Sequence, residues 1–102
     1  MAVTYTIVFR VRPGQVDHFH TLLGGVLDAM RAEAGFISAA LHADPQDPHR
    51  FLLHETWRDH DEVVAVEIHR PYREAWHAAL PELLEAPREI GLWTPLREDR
   101  RG

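Results

Sequence analysis

The chain has 102 residues and a formal charge of −5, with 45% hydrophobic and 26% charged side chains; this is the balance of one globular domain that buries roughly 60–70% of its unfolded surface. The acidic excess and the singly scattered arginines exclude the basic face of a nucleic-acid scaffold. The absence of Cys, Lys and Asn removes disulfides, thiolate chemistry, Schiff bases and a phosphate-loop lysine.

The first ten residues show no charged segment leading into an apolar core. No apolar run approaches the ~20 residues of a membrane span, so no membrane association and a cytoplasmic location are expected. Residues 3–11, "VTYTIVFRV", alternate, with Val3, Tyr5, Ile7, Phe9 and Val11 on one face of a predicted strand. Pro13-Gly14 breaks it. Val16, Phe19, Leu23, Val26, Leu27 and Met30 then recur at helical spacing, and Gly35 is the expected C-cap. "FISAALHA" and "RFLLHETW" read as two strands around a hairpin loop, "DPQDPH". A helical stretch is expected from about Asp59 to His69. Pro71 disfavours helix at Arg70 and suits the first position of a second helix, which Pro81 ends or kinks. "REIGLWTPL", residues 88–96, is the last strand.

The order β-α-β-β-α-β is the ferredoxin-like α+β arrangement, a four-stranded antiparallel sheet with helices on one face. Residues 1–97 form the single domain and 98–102 a frayed tail. Thr4, Thr6, Val8 and Leu52 leave the second face of the sheet too apolar to stay wet, and a partner sheet would cover it, which predicts a homodimer.

Three stretches carry a family resemblance: "VRPGQVDHF", "AEAGFISAALHADPQDPHRFLLHETWRD" and the closing "LWTPL". With Glu55-Thr56-Trp57-Arg58-Asp59 as the most specific piece, nearly the whole chain resembles the antibiotic biosynthesis monooxygenase superfamily of dimeric α+β-barrel proteins. The resemblance implies that fold and several activities: oxidation of quinols and polyketide phenols without a cofactor, haem degradation, or no known reaction. The chain also departs from its relatives. Where many quinol-oxygenase-like members have a histidine beyond the third strand, it reads Val66-Glu67, with His69 slightly later. Trp57 resembles the haem-degrading members, and His77 falls near their iron-ligating histidine. Their first-strand asparagine corresponds to Ile7, and the asparagine of the polyketide oxygenases is also missing.

With one serine, Ser38, outside any nucleophile elbow, proton transfer and aromatic binding are the chemistry left. On a helix continuous from His69, the residues His69, Tyr72, Arg73, Trp76, His77 and Leu80 share roughly 140° of the wheel. This stripe suits a flat phenol held over the sheet, and equally a core edge with Arg73 and His77 at its wet margin. Trp57 is read either as a wall of that pocket or as a structural cap. Glu55 at an inner strand position needs a partner such as Arg10, Arg73 or a histidine, and positions the site more readily than it transfers protons. His54 faces the partner sheet. His18 and His20 lie about 200° apart on their helix and cannot chelate together. Whether His42 and His54 meet depends on the hairpin register. No metal site is assigned.

The resulting expectation is a cofactor-independent monooxygenase that oxidises a quinol or polyketide-type phenol with molecular oxygen. His77 or His69 would be the base. Tyr72 and Arg73 would stabilise the oxyanion, with Trp57, Trp76 and Glu55 binding the substrate. The alternatives are haem binding or degradation through His77, and a non-catalytic dimeric module for a small aromatic metabolite.

Overall fold

Period-two alternation makes residues 3–10 the hub of the sheet. In the computed structural model, which describes all 102 residues, β1 (Val3–Arg10) pairs antiparallel on one side with β3 (Asp47–Trp57) and on the other with β4 (Glu89–Trp93). β2 (Phe36–Asp44) completes the order β2-β3-β1-β4. Three helices, α1 (Val16–Met30), α2 (His60–Ala65) and α3 (Glu74–Leu83), complete the ferredoxin-like α+β fold.

Register decides which side chains meet. Tyr5 lies opposite Glu55, Ile7 opposite Leu53 and Phe9 opposite Phe51, all on the helix-facing side. There Phe9 packs against Phe19 of α1 at 5.1 Å and Trp76 of α3 at 5.7 Å, edge-on in both cases. This aromatic seam fastens both long helices to the central strand. On the opposite face, the Thr4 and Thr56 hydroxyls bond at 2.8 Å, and Trp93 Nε1 donates to Thr6 Oγ1 at 2.8 Å. His42 and His54 share that face but are offset, with Leu52 opposite His42 and Ala40 opposite His54.

Several element boundaries differ from expectation. The Pro13-Gly14 break is a type II turn: Gly14 holds φ +84° and Gln15 N donates to Arg12 O at 3.0 Å. α1 stops at Met30, so Gly35 is not its cap. A Cβ at Gly35 would stand 2.7 Å from Glu62 Oε1, so the glycine makes room for the Arg58–Glu62 ion pair. The hairpin is tighter than "DPQDPH" suggests, because the strands run to Asp44 and from Asp47. The stretch after Asp59 is a short α2, N-capped by the Asp59 carboxylate accepting from Glu62 N, followed by a 3-10 turn at Glu67–His69. Arg70 is extended (φ −58°, ψ 135°), as a residue before proline should be, and a second 3-10 turn at Pro71–Arg73 leads into α3. The helix is therefore not continuous from His69. Pro81 sits inside α3 without ending it, and β4 stops at Trp93 rather than residue 96.

Candidate active site

The helix-facing side of the sheet alternates inward side chains, and two of them, Tyr5 and Glu55, carry polar tips into the core. Above them, between the sheet and the α2–α3 layer, lies a cavity of about 480 Å³. Its floor is Tyr5 and Ile7 of β1, Glu55 of β3 and Ile90 of β4, and its roof is Val63, Val64, Ile68, Arg73, His77 and Leu80. His60 and Arg88 complete the wall. A neighbouring hollow of about 610 Å³ near Arg12 and Pro87 shares His77, Leu80, Arg88 and Ile90 with it. That hollow is larger but lacks Tyr5, Glu55, His60 and Arg73, so the concentrated chemistry belongs to the smaller cavity.

Glu55 is 6% exposed. Trp57 Nε1 donates to its Oε1 at 3.3 Å, and no guanidinium lies within ion-pair distance. Burial pushes its carboxyl above the usual range, opposed by the Arg73 charge, the Trp57 bond and Arg88. Its expected partner is therefore Arg73 at a distance, joined by Arg88, and not Arg10. Arg73 is 8% exposed, and its guanidinium lies 5.8 Å from the Trp57 ring centroid. His77 is half-buried. Burial first, then the charges of Arg88, Arg73 and His69, hold its imidazole below the usual histidine range, so it is a neutral base at pH 7. Tyr5 and His60 share a hydrogen bond of 2.7 Å between the phenol oxygen and Nδ1. Burial, Glu55 and Asp59 raise the Tyr5 pKa against the pull of Arg73, so the phenol keeps its proton.

Of the residues expected at the site, the fold brings Glu55, Arg73 and His77 to one cavity. Trp57, 1% exposed, packs edge-on against Phe36 at 5.4 Å and braces Glu55 and Arg73 from behind. Trp76 is in the aromatic core, and neither tryptophan lines the cavity. Tyr72 packs on the core with its hydroxyl shielded beside the Arg73 guanidinium. His69 is exposed and outside the lining. The break at Arg70 separates these two from the Arg73–His77 face.

Tyr5, His60 and Arg88 were not singled out from the sequence. Tyr5 did carry a signal, because a phenol on an inward strand position needs a partner for its hydroxyl. No three His, Asp or Glu side chains converge to hold a metal ion. No helix is long and apolar enough to cross a membrane.

The fold is the ferredoxin-like α+β class, with a cavity between its layers. The chain belongs to the antibiotic biosynthesis monooxygenase family, whose profile matches residues 2–75. It is 29% identical over 94 residues, 91% of this chain and 78% of the relative, to a protein of Pestalotiopsis microspora named as a candidate monooxygenase. Among solved structures it is similar to Rv0793 from Mycobacterium tuberculosis, with TM-score 0.86 and 24% identity, covering 98% of this chain and all of that one. It is also similar to SnoaB, a cofactor-independent oxygenase from Streptomyces nogalater, with TM-score 0.79, 20% identity and 95% of each chain covered. At such identities these two structures show the shared fold. The family and the Pestalotiopsis relative support a monooxygenase-type function in general.

Proposed function

We propose that the protein is a cofactor-independent monooxygenase that oxidises a quinol or polyketide-type phenol with molecular oxygen, working as a homodimer. The observation that carries this reading is the convergence of a neutral base, His77, and a buried cation, Arg73, in an apolar cavity sized for a small aromatic molecule. SnoaB, with the same fold, is a cofactor-independent oxygenase.

The electron balance needs no external reductant. A hydroquinone and O2 together contain the atoms of a hydroxyquinone and one water. Oxygen accepts four electrons, two from oxidation of the ring to the quinone level and two from insertion of one oxygen atom. The protein's work is to make the phenol electron-rich enough to reduce oxygen directly. His77 takes the phenolic proton, and the Arg73 guanidinium stabilises the developing oxyanion. Val63 and Leu80 shield the anion from water on the apolar side of the roof. The ring carbon bonds to oxygen, and the O–O bond then breaks to leave a carbonyl on the ring and release water. Tyr5, held by His60, is a protonated donor on the floor that can follow charge as it moves towards the peroxide.

The test is oxygen uptake by chelator-treated protein with a panel of hydroquinones and anthrone-type phenols. Uptake above buffer is expected, reduced about 10²–10⁴-fold in His77→Ala, the range for loss of a general base. Its acid limb should lie below the ordinary histidine range, because His77 is held low. Uptake no faster than buffer across the panel overturns the reading. If haemin titration then gives a Soret band that His77→Ala abolishes, haem binding takes its place.

A further inference from the structure

Arginine cannot shed its charge in a protein, so a buried guanidinium without a partner is an unfinished interaction. The chain contains three arginines whose Nε is shielded without a hydrogen-bond partner: Arg50, Arg70 and Arg73. Arg50 still pairs through Nη1 with Asp44 at 3.2 Å, and Arg70 through Nη2 with Glu33 at 2.9 Å and Glu67 at 3.2 Å. Arg73 is different. Its Nε and Nη2 are shielded, the neighbouring Tyr72 offers at most a neutral phenol oxygen, it makes no ion pair, and it lines the cavity while 8% exposed. A buried charge left in that condition is costly, and the cation–π contact with Trp57 offsets only part of that cost.

Arg88 brings a second guanidinium to the same cavity, where burial first, and then the Arg73 charge, disfavour its ionised form against the pull of Glu55. The other titratable groups on the wall are Tyr5, Glu55, His60 and His77. Glu55 is the one acidic side chain among them. Its carboxyl already accepts from Trp57, and burial drives it towards the neutral form. The wall thus carries two fixed positive charges against at most one negative charge, and apart from Tyr5, His60 and His77 the remaining surface is aliphatic.

We propose that the cavity binds an aromatic carboxylic acid, with the carboxylate held by Arg73 and Arg88 and the ring against Val63, Ile68 and Ile90. Planar guanidinium groups match a carboxylate in two-point geometry, and a ligand carboxylate at the unshielded Nη1 edge of Arg73 would supply the counter-charge that the protein does not. This inference uses the same cavity as the oxygenase reading but not its oxygen chemistry, so the two stand or fall separately.

The test is anaerobic calorimetry with 2-naphthoate and its uncharged isostere 2-naphthamide. Naphthoate should bind at least about tenfold more tightly. Arg88→Gln should abolish that preference and Arg88→Lys should keep part of it, both with wild-type circular dichroism. Arg73→Met serves as a second variant if Arg88→Gln does not fold, with the same expected loss. Equal binding of acid and amide overturns the proposal, as does naphthoate binding unchanged in the arginine variants or no binding of either compound. Preference for the acid without oxygen uptake from any phenol sustains this proposal and overturns the oxygenase reading. Oxygen uptake from neutral phenols without acid preference does the reverse.

Discussion

Glu55 shows how a single inward position couples stability to the site. Its buried carboxyl holds its proton to a higher pH than in the unfolded chain. Between the ordinary glutamate range and that raised value, the folded protein binds more protons than the unfolded one, so stability falls as pH rises through the window. Glu55→Gln removes that slope. Urea unfolding from about pH 4 to about pH 8 should therefore show the variant gaining on wild type as pH rises across this range. A pH-independent difference would sink the assignment. The sequence made Glu55 visible as a costly inward carboxylate but did not show its neighbours. The Tyr5 phenol on an inward strand position called for a partner without naming one, and His60 looked like part of a polar helix start. Only the β1–β3 register, with Tyr5 opposite Glu55, and the start of α2 reveal them as one cluster.

At the scale of the elements, periodicity located every strand and both long helices, since alternation and the 3.6-residue repeat are direct consequences of backbone geometry. What it could not give was the path between Asp59 and Glu74. There, the helix that starts at His60 stops at Ala65, and two 3-10 turns around an extended Arg70 follow, pinned by Arg70 bridging Glu67 and Glu33. This break turns Tyr72 and His69 away from the cavity while Arg73 and His77 still face it. Pro81 was expected to end or kink α3, yet packing carries the helix on to Leu83. Its ring nitrogen cannot donate to the His77 carbonyl four residues back, which weakens the helix beside the proposed base. Pro81→Ala should raise stability by roughly 1–3 kcal/mol in urea unfolding. A loss of stability would mean that the proline ring is itself an essential packing element.

For the whole molecule, one face of the sheet carries the helices and the other is left bare. Ile37, Leu52 and Trp93 are 54%, 37% and 59% exposed, and Leu52 and Trp93 stand on the bare face beside the threonine ladder. Exposed apolar side chains spread over several strands in this way are suited to a second copy of the same sheet. Leu52→Arg should halve the mass measured by sedimentation velocity while leaving the circular dichroism unchanged. A wild type that already sediments as a monomer at micromolar concentration would remove the homodimer from the proposal.

The cavity divides into a floor and a roof of different character. Tyr5, Ile7 and Glu55 belong to the two central strands, where each inward position is fixed by hydrogen-bonded neighbours on both sides. Val64 and Ile68 belong to a short helix and a 3-10 turn and are already 47% and 36% exposed. Changing their size removes little buried surface, so their replacement costs little stability. The capacity for evolutionary change is therefore unequal across one pocket. New ligands can be fitted from above by varying Val64 and Ile68, while Tyr5 and Glu55, the polar floor beneath Arg73 and His77, are inherited with the fold.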